Sequence, residues 1–475
     1  MGEEQMMKEK TLGLGNVVSV SVGLVIATSC LVSLGQGAGQ IGVLFIAAMV
    51  IACLFNMLTM ATMSELNALM PNVTGGLAQY TLAGIGPIPT IVLMVGGYMV
   101  SNVLSCGVEA SIFAYAMGEI IHLPFGIPNY FWTVLASVII LIANLRGVDM
   151  FAKVQNLVSY LLLGSMLIMG VIGMLGMGTG AEVSQPAVMN ATPLNVVSMT
   201  AVAFWLFIGA EYAIPISKNV KNAKRNVPLG MFIGLAIICG IQSIMVLGFH
   251  NYTNWQDLTS SAAPHLLYGM ALLGKPGQIW MTVVSALAVV STQNSTVQGL
   301  SNIFSGMAKT NLMPQFFGKL NRKSVPHIGV WFVSVAIMIF AYISQDSSDR
   351  ISFLILVGSV FWMASYIAAH VDLLVFRHRL PKAPRSFKVP LGPVLPLVGI
   401  AGTVYMILNI STDPVERAKI WLVTAAVLGV LFVYSIFWIR IKMKIPLFQP
   451  VPMEKVMAME NIMYYRIRKS RGIWK

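Results

Sequence analysis

Apolar runs of membrane-spanning length recur near residues 13–36, 39–66, 88–118, 129–146, 153–176, 195–216, 227–249, 277–307, 327–344, 351–376, 391–410 and 418–440. A spanning helix needs about 20 predominantly apolar residues. None of these runs shows the polar–apolar alternation in ten-residue segments that marks a transmembrane β-barrel. Helices are the other way to satisfy backbone hydrogen bonds in lipid. The pattern therefore predicts an all-α integral membrane protein of twelve transmembrane helices. The longest connections, 177–194 and 250–275, carry no linker or low-complexity signature, so a single domain is expected over 1–440, followed by a basic tail over 441–475.

Composition agrees with the pattern. Hydrophobic residues make up 57% of the chain and charged residues 10%, against about 45–50% and about 25% in soluble proteins. The four cysteines, Cys30, Cys53, Cys106 and Cys239, sit singly in apolar runs. They read as small buried hydrophobes rather than a disulfide or metal framework. Lys8 and Lys10 before the first apolar run imitate a secretory signal, but the many later spans argue against one.

The net charge of +13 invites a nucleic-acid reading, and its distribution removes it. With the N-terminus inside and the helices alternating, only Lys275, Arg350, Arg417 and Lys419 of the 30 lysines and arginines fall outside. The inner side holds Arg146 and Lys153, then Lys218, Lys221, Lys224 and Arg225, with further basic residues in later inner loops. The basic tail (Arg466, Arg468, Lys469, Arg471) is placed to touch anionic lipid. Positive charge marks the cytoplasmic side, so both termini are expected there, in the cell membrane, with lipid rather than nucleic acid as the macromolecular partner. Oligomeric state is left open.

Two spans are interrupted. The first reads VVSVSVGLVIATSCLVSLGQGAG, with Ala27, Thr28 and Ser29 between Gly23 and Gly35. The sixth carries Gly209, Glu211 and Pro215. They lie five helices apart. Discontinuous helices in corresponding places point to a midplane substrate site. A break offers N–H groups from one half-helix and C=O groups from the other, attracting a carboxylate and a cation respectively. The alternative for each is a kinked helix packed through small residues.

The segment FIGAEYAIPISKNVKNAKRNVP resembles the sixth helix and following basic loop of the amino acid–polyamine–organocation (APC) permeases. NIFSGMAKTNLMPQFFGKL (302–320) is similar to the end of their eighth helix, with Asn302 where arginine usually stands. RSFKVPLGPVLPLVGI (385–400) is similar to their entry into helix eleven. GLVIATSCLVSLG takes the place of their glycine-rich first-helix motif but replaces its glycines around Thr28 by Ala27 and Ser29. The resemblance covers nearly the whole chain. It implies a five-plus-five inverted repeat (repeat one about 13–176, repeat two about 195–376) with two added helices at about 391–440. It also implies secondary active transport of amino acids, or of amines or polyamines, by symport or exchange. A membrane-embedded enzyme or a substrate sensor is the weaker alternative.

By that resemblance, the expected substrate site comprises Ile26, Ala27, Thr28, Ser29 and Cys30 at the first break, with Phe207, Ile208, Gly209 and Ala210 at the second. Glu211 would serve gating or proton sensing, with Tyr212 or Phe207 as a gate. Alanine and serine in place of glycine narrow the approach of ligand to backbone. From spacing alone, Ser101, Ser105 and Glu109 share one face of the third helix. An ionisable residue inside a span is costly and marks a functional site, although a polar contact between helices would also explain Glu109. Two embedded acids without an embedded Lys or Arg favour a substrate bearing an ammonium. In the eighth helix, Ala288, Ser291 and Thr292, with carbonyls of Gly23 and Ile26, match a sodium site of this fold; polar contacts between helices are the alternative. Proton-coupled members carry a lysine where VQNLVSYLLL places Leu162. Na+, a glutamate-borne H+ or plain exchange remain as coupling modes, with no organic cofactor. His370 and Asp372, two residues apart and so on different faces, are expected to be structural.

Overall fold

The computed structural model describes residues 12–460 except 24, 72–75, 147–149, 190–191, 215–216, 218–219, 310, 324 and 346. Pro215 and Lys218 therefore lie outside the described residues, as do Lys8, Lys10 and the tail cations Arg466, Arg468, Lys469 and Arg471.

Helices occupy all twelve apolar runs. The first is split into α1 (Leu14–Gly23) and α2 (Thr28–Ile41). α3 (Phe45–Leu69) follows, then a short buried helix α4 (Leu77–Gly84). α5 (Pro87–Leu93), a π-helical turn (Met94–Val100) and α6 (Ser101–Gly118) form one long span. α7 (Tyr130–Leu145), α8 (Met150–Met174), α9 (Pro193–Phe204) and α10 (Ala223–Tyr252) follow. Two short helices, α11 (Trp255–Ser260) and α12 (Pro264–Leu273), precede α13 (Lys275–Lys309). The remainder are α14 (His327–Ser344), α15 (Ser348–Arg379), α16 (Val394–Leu408), α17 (Pro414–Trp438) and α18 (Met453–Glu460).

Among the described residues, eight helices are long and apolar enough to cross a membrane, and the α1–α2 pair makes a ninth when counted as one broken span. α7 and α16 are apolar but shorter, and α13 is diluted by its run of Ser, Thr and Gln. Large hydrophobics such as Leu422, Val430 and Phe437 on α17 are exposed. In water such a surface would be a liability; against lipid it is the outer wall. The buried side of the molecule is formed where α2 packs on α6 and α9, α6 packs on α13 and α15, and α1 packs on α8 and α10.

The π-helical turn re-phases the third span, a device often found at functional sites. It also brings the backbones of α15 and the turn close together at Gly97. A Cβ added there would fall on the Ser365 hydroxyl and 3.0 Å from the Phe361 carbonyl oxygen. Neither neighbour can retreat freely, because both belong to α15. Gly97→Ala is expected to destabilise the protein by about 1–3 kcal/mol, the usual cost of overpacking. Thermal unfolding in detergent measures this, and an unchanged midpoint would contradict the packing described.

One end of the bundle is tied by a buried ion network. Glu65 of α3, 0% exposed, receives a bidentate contact from Arg377 of α15, Nε–Oε1 3.0 Å and Nη2–Oε2 2.5 Å. Arg385 Nε lies 3.1 Å from Oε1, and the Val389 N–H donates to Oε2 at 2.7 Å. Arg377 also donates to the carbonyls of Val389 and Gly392. The segment RSFKVPLG is therefore folded around an acid 320 or so residues upstream. Arg379 donates to the Ala83 and Gly84 carbonyls at the end of α4.

Candidate functional site

Both interruptions are present. α1 and α2 meet at 66°, and Ala27, the N-cap of α2, is extended (φ −119°, ψ 159°). Extended backbone at an N-cap leaves the first amides of the helix without carbonyl partners. In the sixth span, α9 stops at Phe204 and a 3-10 turn covers Trp205–Phe207. Ile208 is extended (φ −75°, ψ 138°), and Gly209 takes φ +115°. A second 3-10 turn spans Ala210–Ala213. Positive φ at Gly209 is a conformation that side chains resist, so the break is written into that glycine.

Between the two breaks lies a cavity of about 40 Å³. Ala27, Ser29, Cys30, Ile208, Gly209 and Tyr212 border it from the breaks. Asn102, Ser105, Cys106 and Glu109 border it from α6, and Thr292, Ser295 and Thr296 from α13. Trp205 and Trp362 complete the wall, with ring centroids 6.3 Å apart and edge-on. Among the described lining residues Glu109 is the one formally charged group.

Glu109 is 1% exposed and is surrounded by hydroxyls from three elements. Ser29 Oγ donates to Oε1 at 3.2 Å, Ser105 Oγ to Oε1 at 3.1 Å and Thr292 Oγ1 to Oε2 at 2.5 Å. The Trp205 indole N–H donates to Ser29 Oγ at 3.1 Å, which turns the serine proton toward the carboxylate. Burial of a carboxylate is tolerable only with such donors.

Glu211, also buried, lies behind the cavity wall. The Gly209 N–H donates to Oε2 at 3.1 Å and the Trp362 indole N–H to Oε1 at 2.9 Å. The Tyr366 hydroxyl donates to Oε2 at 2.8 Å and Tyr98 to Oε1 at 3.2 Å. The acid thus pins the unwound sixth span to α15 and to the π-helical turn. Tyr212 donates to Asn102 Oδ1 at 2.8 Å, closing the same side toward α6.

Several expected residues lie elsewhere. Ser101, at the start of the α6 face that carries Ser105 and Glu109, does not line the cavity; its hydroxyl donates to the Gly97 carbonyl four residues back. Ile26, Thr28, Phe207 and Ala210 are buried at the breaks but do not line the cavity. Thr28 Oγ1 has no hydrogen-bond partner. Of the candidate sodium set, Ser291 Oγ stands 3.5 Å from the Gly23 carbonyl. Thr292 instead divides its hydroxyl between Glu109 and the Ala288 carbonyl (2.8 Å). His370 sits between Thr59 and Thr62 of α3, and Asp372 accepts from Thr81 of α4, so the two face different elements. Among the described residues, no group of three or more His, Cys, Asp or Glu is placed to hold a metal ion.

The sequence reading missed Trp205, Trp362, Tyr366 and Tyr98. Trp362 and Tyr366 are four apart and so share a helix face; that spacing was the available signal.

Residues 12–440 match the amino acid permease family. A branched-chain amino acid permease of Bacillus subtilis is 23% identical, covering 91% of this chain and 94% of its own. The human cystine/glutamate transporter is 20% identical, with 93% and 89% covered. Among solved structures, a manganese transporter of Eremococcus coleocola superposes with a TM-score of 0.59 at 14% identity, over 90% of this chain and 94% of its own, which establishes a shared fold. The chain is thus a multi-pass membrane transporter, not an enzyme, and it belongs to the amino acid permease family.

Proposed function

We propose that this chain carries a small ammonium-bearing solute, an amino acid or its amine, across the cell membrane by alternating access around the two helix breaks. One observation carries the reading: the breaks at Ala27 and Gly209 border a single cavity, which they share with Glu109, Trp205 and Trp362. Backbone left bare inside a membrane is tolerable where it lines such a cavity. Relatives named as a branched-chain amino acid permease and a cystine/glutamate transporter support the substrate class.

The architecture proposed is twelve spans in two inverted repeats (about 13–176 and 195–376), two added helices at about 391–440 and a basic tail at 441–475. The inner placement of most cations supports cytoplasmic ends. Ligand is held between the Ser29–Cys30 end of α2 and the Ile208–Gly209 break. Glu211 holds that break and Tyr212 covers it. For coupling, the Gly23–Ser291 approach supports Na+; the proximity of Thr292 to Glu109 supports a proton carried by the acid.

Flux into proteoliposomes tests the reading. Labelled amino acid or amine should accumulate when unlabelled solute or an inward Na+ or H+ gradient is supplied, and not in protein-free vesicles. Absence of flux for every amino acid and amine tried would remove it.

A further inference from the structure

We infer that Glu109 makes the cavity an organic-ammonium site in which a substrate carboxylate is dispensable, so that the carried solute is an amine in preference to its parent amino acid. The inference rests on the transport reading above and names the substrate class of the same cavity.

Three observations converge. First, the cavity is bordered by one acid and by no Lys, Arg or His among its described lining residues. A buried carboxylate held by neutral hydroxyls still lacks a countercharge, and such a charge is costly until one arrives. The ammonium of the solute supplies it. Second, Glu109 stands beside the N-terminal turn of α2, reached through a side chain. Ser29, two residues past the Ala27 cap, places its hydroxyl on Glu109 Oε1 at 3.2 Å. The first turn of a helix is where an amino acid's carboxylate would be drawn. Here a resident carboxylate already stands next to that place, and a second one would meet like-charge repulsion. Third, part of the lining is aromatic. Trp205, Trp362 and Tyr212 border the cavity, and aromatic faces attract cations.

Glu109 is also a cleaner acid to alter than Glu211. All its partners are hydroxyls, which accept as readily as they donate. Glu109→Gln therefore keeps the shape and the hydrogen bonds while removing the charge.

Full-length protein in proteoliposomes is assayed by counterflow with matched pairs: phenethylamine against phenylalanine, and isoamylamine against leucine. The expected result for the wild type is a half-saturating concentration about tenfold or more lower for the amine, roughly 1.4 kcal/mol per tenfold. Glu109→Gln should weaken the amine by about a hundredfold while leaving the amino acid equal or improved. Glu109→Asp, which keeps the charge, should retain the preference at lower affinity. An amino acid carried while its amine is not would overturn the inference and leave the transport reading intact. Amine preference persisting in Glu109→Gln would likewise overturn it. Flux of neither class would overturn both. The wild-type pair comparison stands even where a variant fails to fold.

Discussion

Glu211→Gln should leave ligand affinity within a few fold and reduce flux by about tenfold to a hundredfold. The reason is a directional one. Gly209 N–H and the Trp362 indole N–H can only donate, and they donate to different oxygens of the same carboxyl group. A glutamine amide offers one oxygen and one NH₂. Whichever way it turns, the NH₂ opposes one of these two donors. A buried donor left without an acceptor costs about 1–3 kcal/mol, the source of the predicted factor. That loss falls on the unwound stretch and its tether to α15, not on the cavity surface, because Glu211 does not line the cavity. Binding by thermal shift and flux by counterflow separate the two effects. Unchanged flux would show that the tether plays no part in the cycle; lost binding with intact folding would place Glu211 in contact with the solute.

Glu65→Ala should destabilise the fold by about 3–5 kcal/mol, the usual cost of stranding the partner of a buried ion pair. Arg377 and Arg385 both converge on this carboxylate, with side chains 12% and 5% exposed. Removing it leaves two guanidinium groups and the Val389 N–H facing an empty acceptor. The effect should appear in thermal unfolding of the detergent-solubilised protein. Arg377→Lys should cost less than Glu65→Ala but not nothing, since lysine keeps the charge and loses the fork. A Glu65→Ala midpoint equal to wild type would mean that the network is open to water.

Local pattern and long-range pairing explain which features were legible in the sequence. The twelve apolar runs become helices because a run of apolar residues in lipid has no other way to close its backbone hydrogen bonds. The break at Gly209 was legible because glycine sits where a positive φ is required, and the one at Ala27–Ser29 because small polar residues interrupt an apolar run. Ser105 and Glu109 were found by helical spacing alone. Ser101 shares their helix face at the start of α6 but stands short of the cavity, its hydroxyl bonded to the Gly97 carbonyl four residues back. The partners of Glu211 come from residues 98, 362 and 366, and the partners of Glu65 from 377, 385 and 389. Nothing local records such pairings. Thr292 shows a third case: its position suited an ion site, yet its hydroxyl is taken by a carboxylate from another helix. The short helices α4, α11 and α12 lie in connections, and α18 in the basic tail, where no apolar run announced them.

The central claim is that solute occupies the space between the two helix breaks. Two native cysteines, Cys30 and Cys106, border that space, whereas Cys53 and Cys239 do not. In a Cys53→Ala, Cys239→Ala background, the rate of modification by 2-aminoethyl methanethiosulfonate can be followed by mass spectrometry with and without a solute that the same preparation transports. The account predicts that saturating solute slows modification of both cysteines by about tenfold or more, as site occupancy requires. A transported solute that leaves both rates unchanged would contradict it.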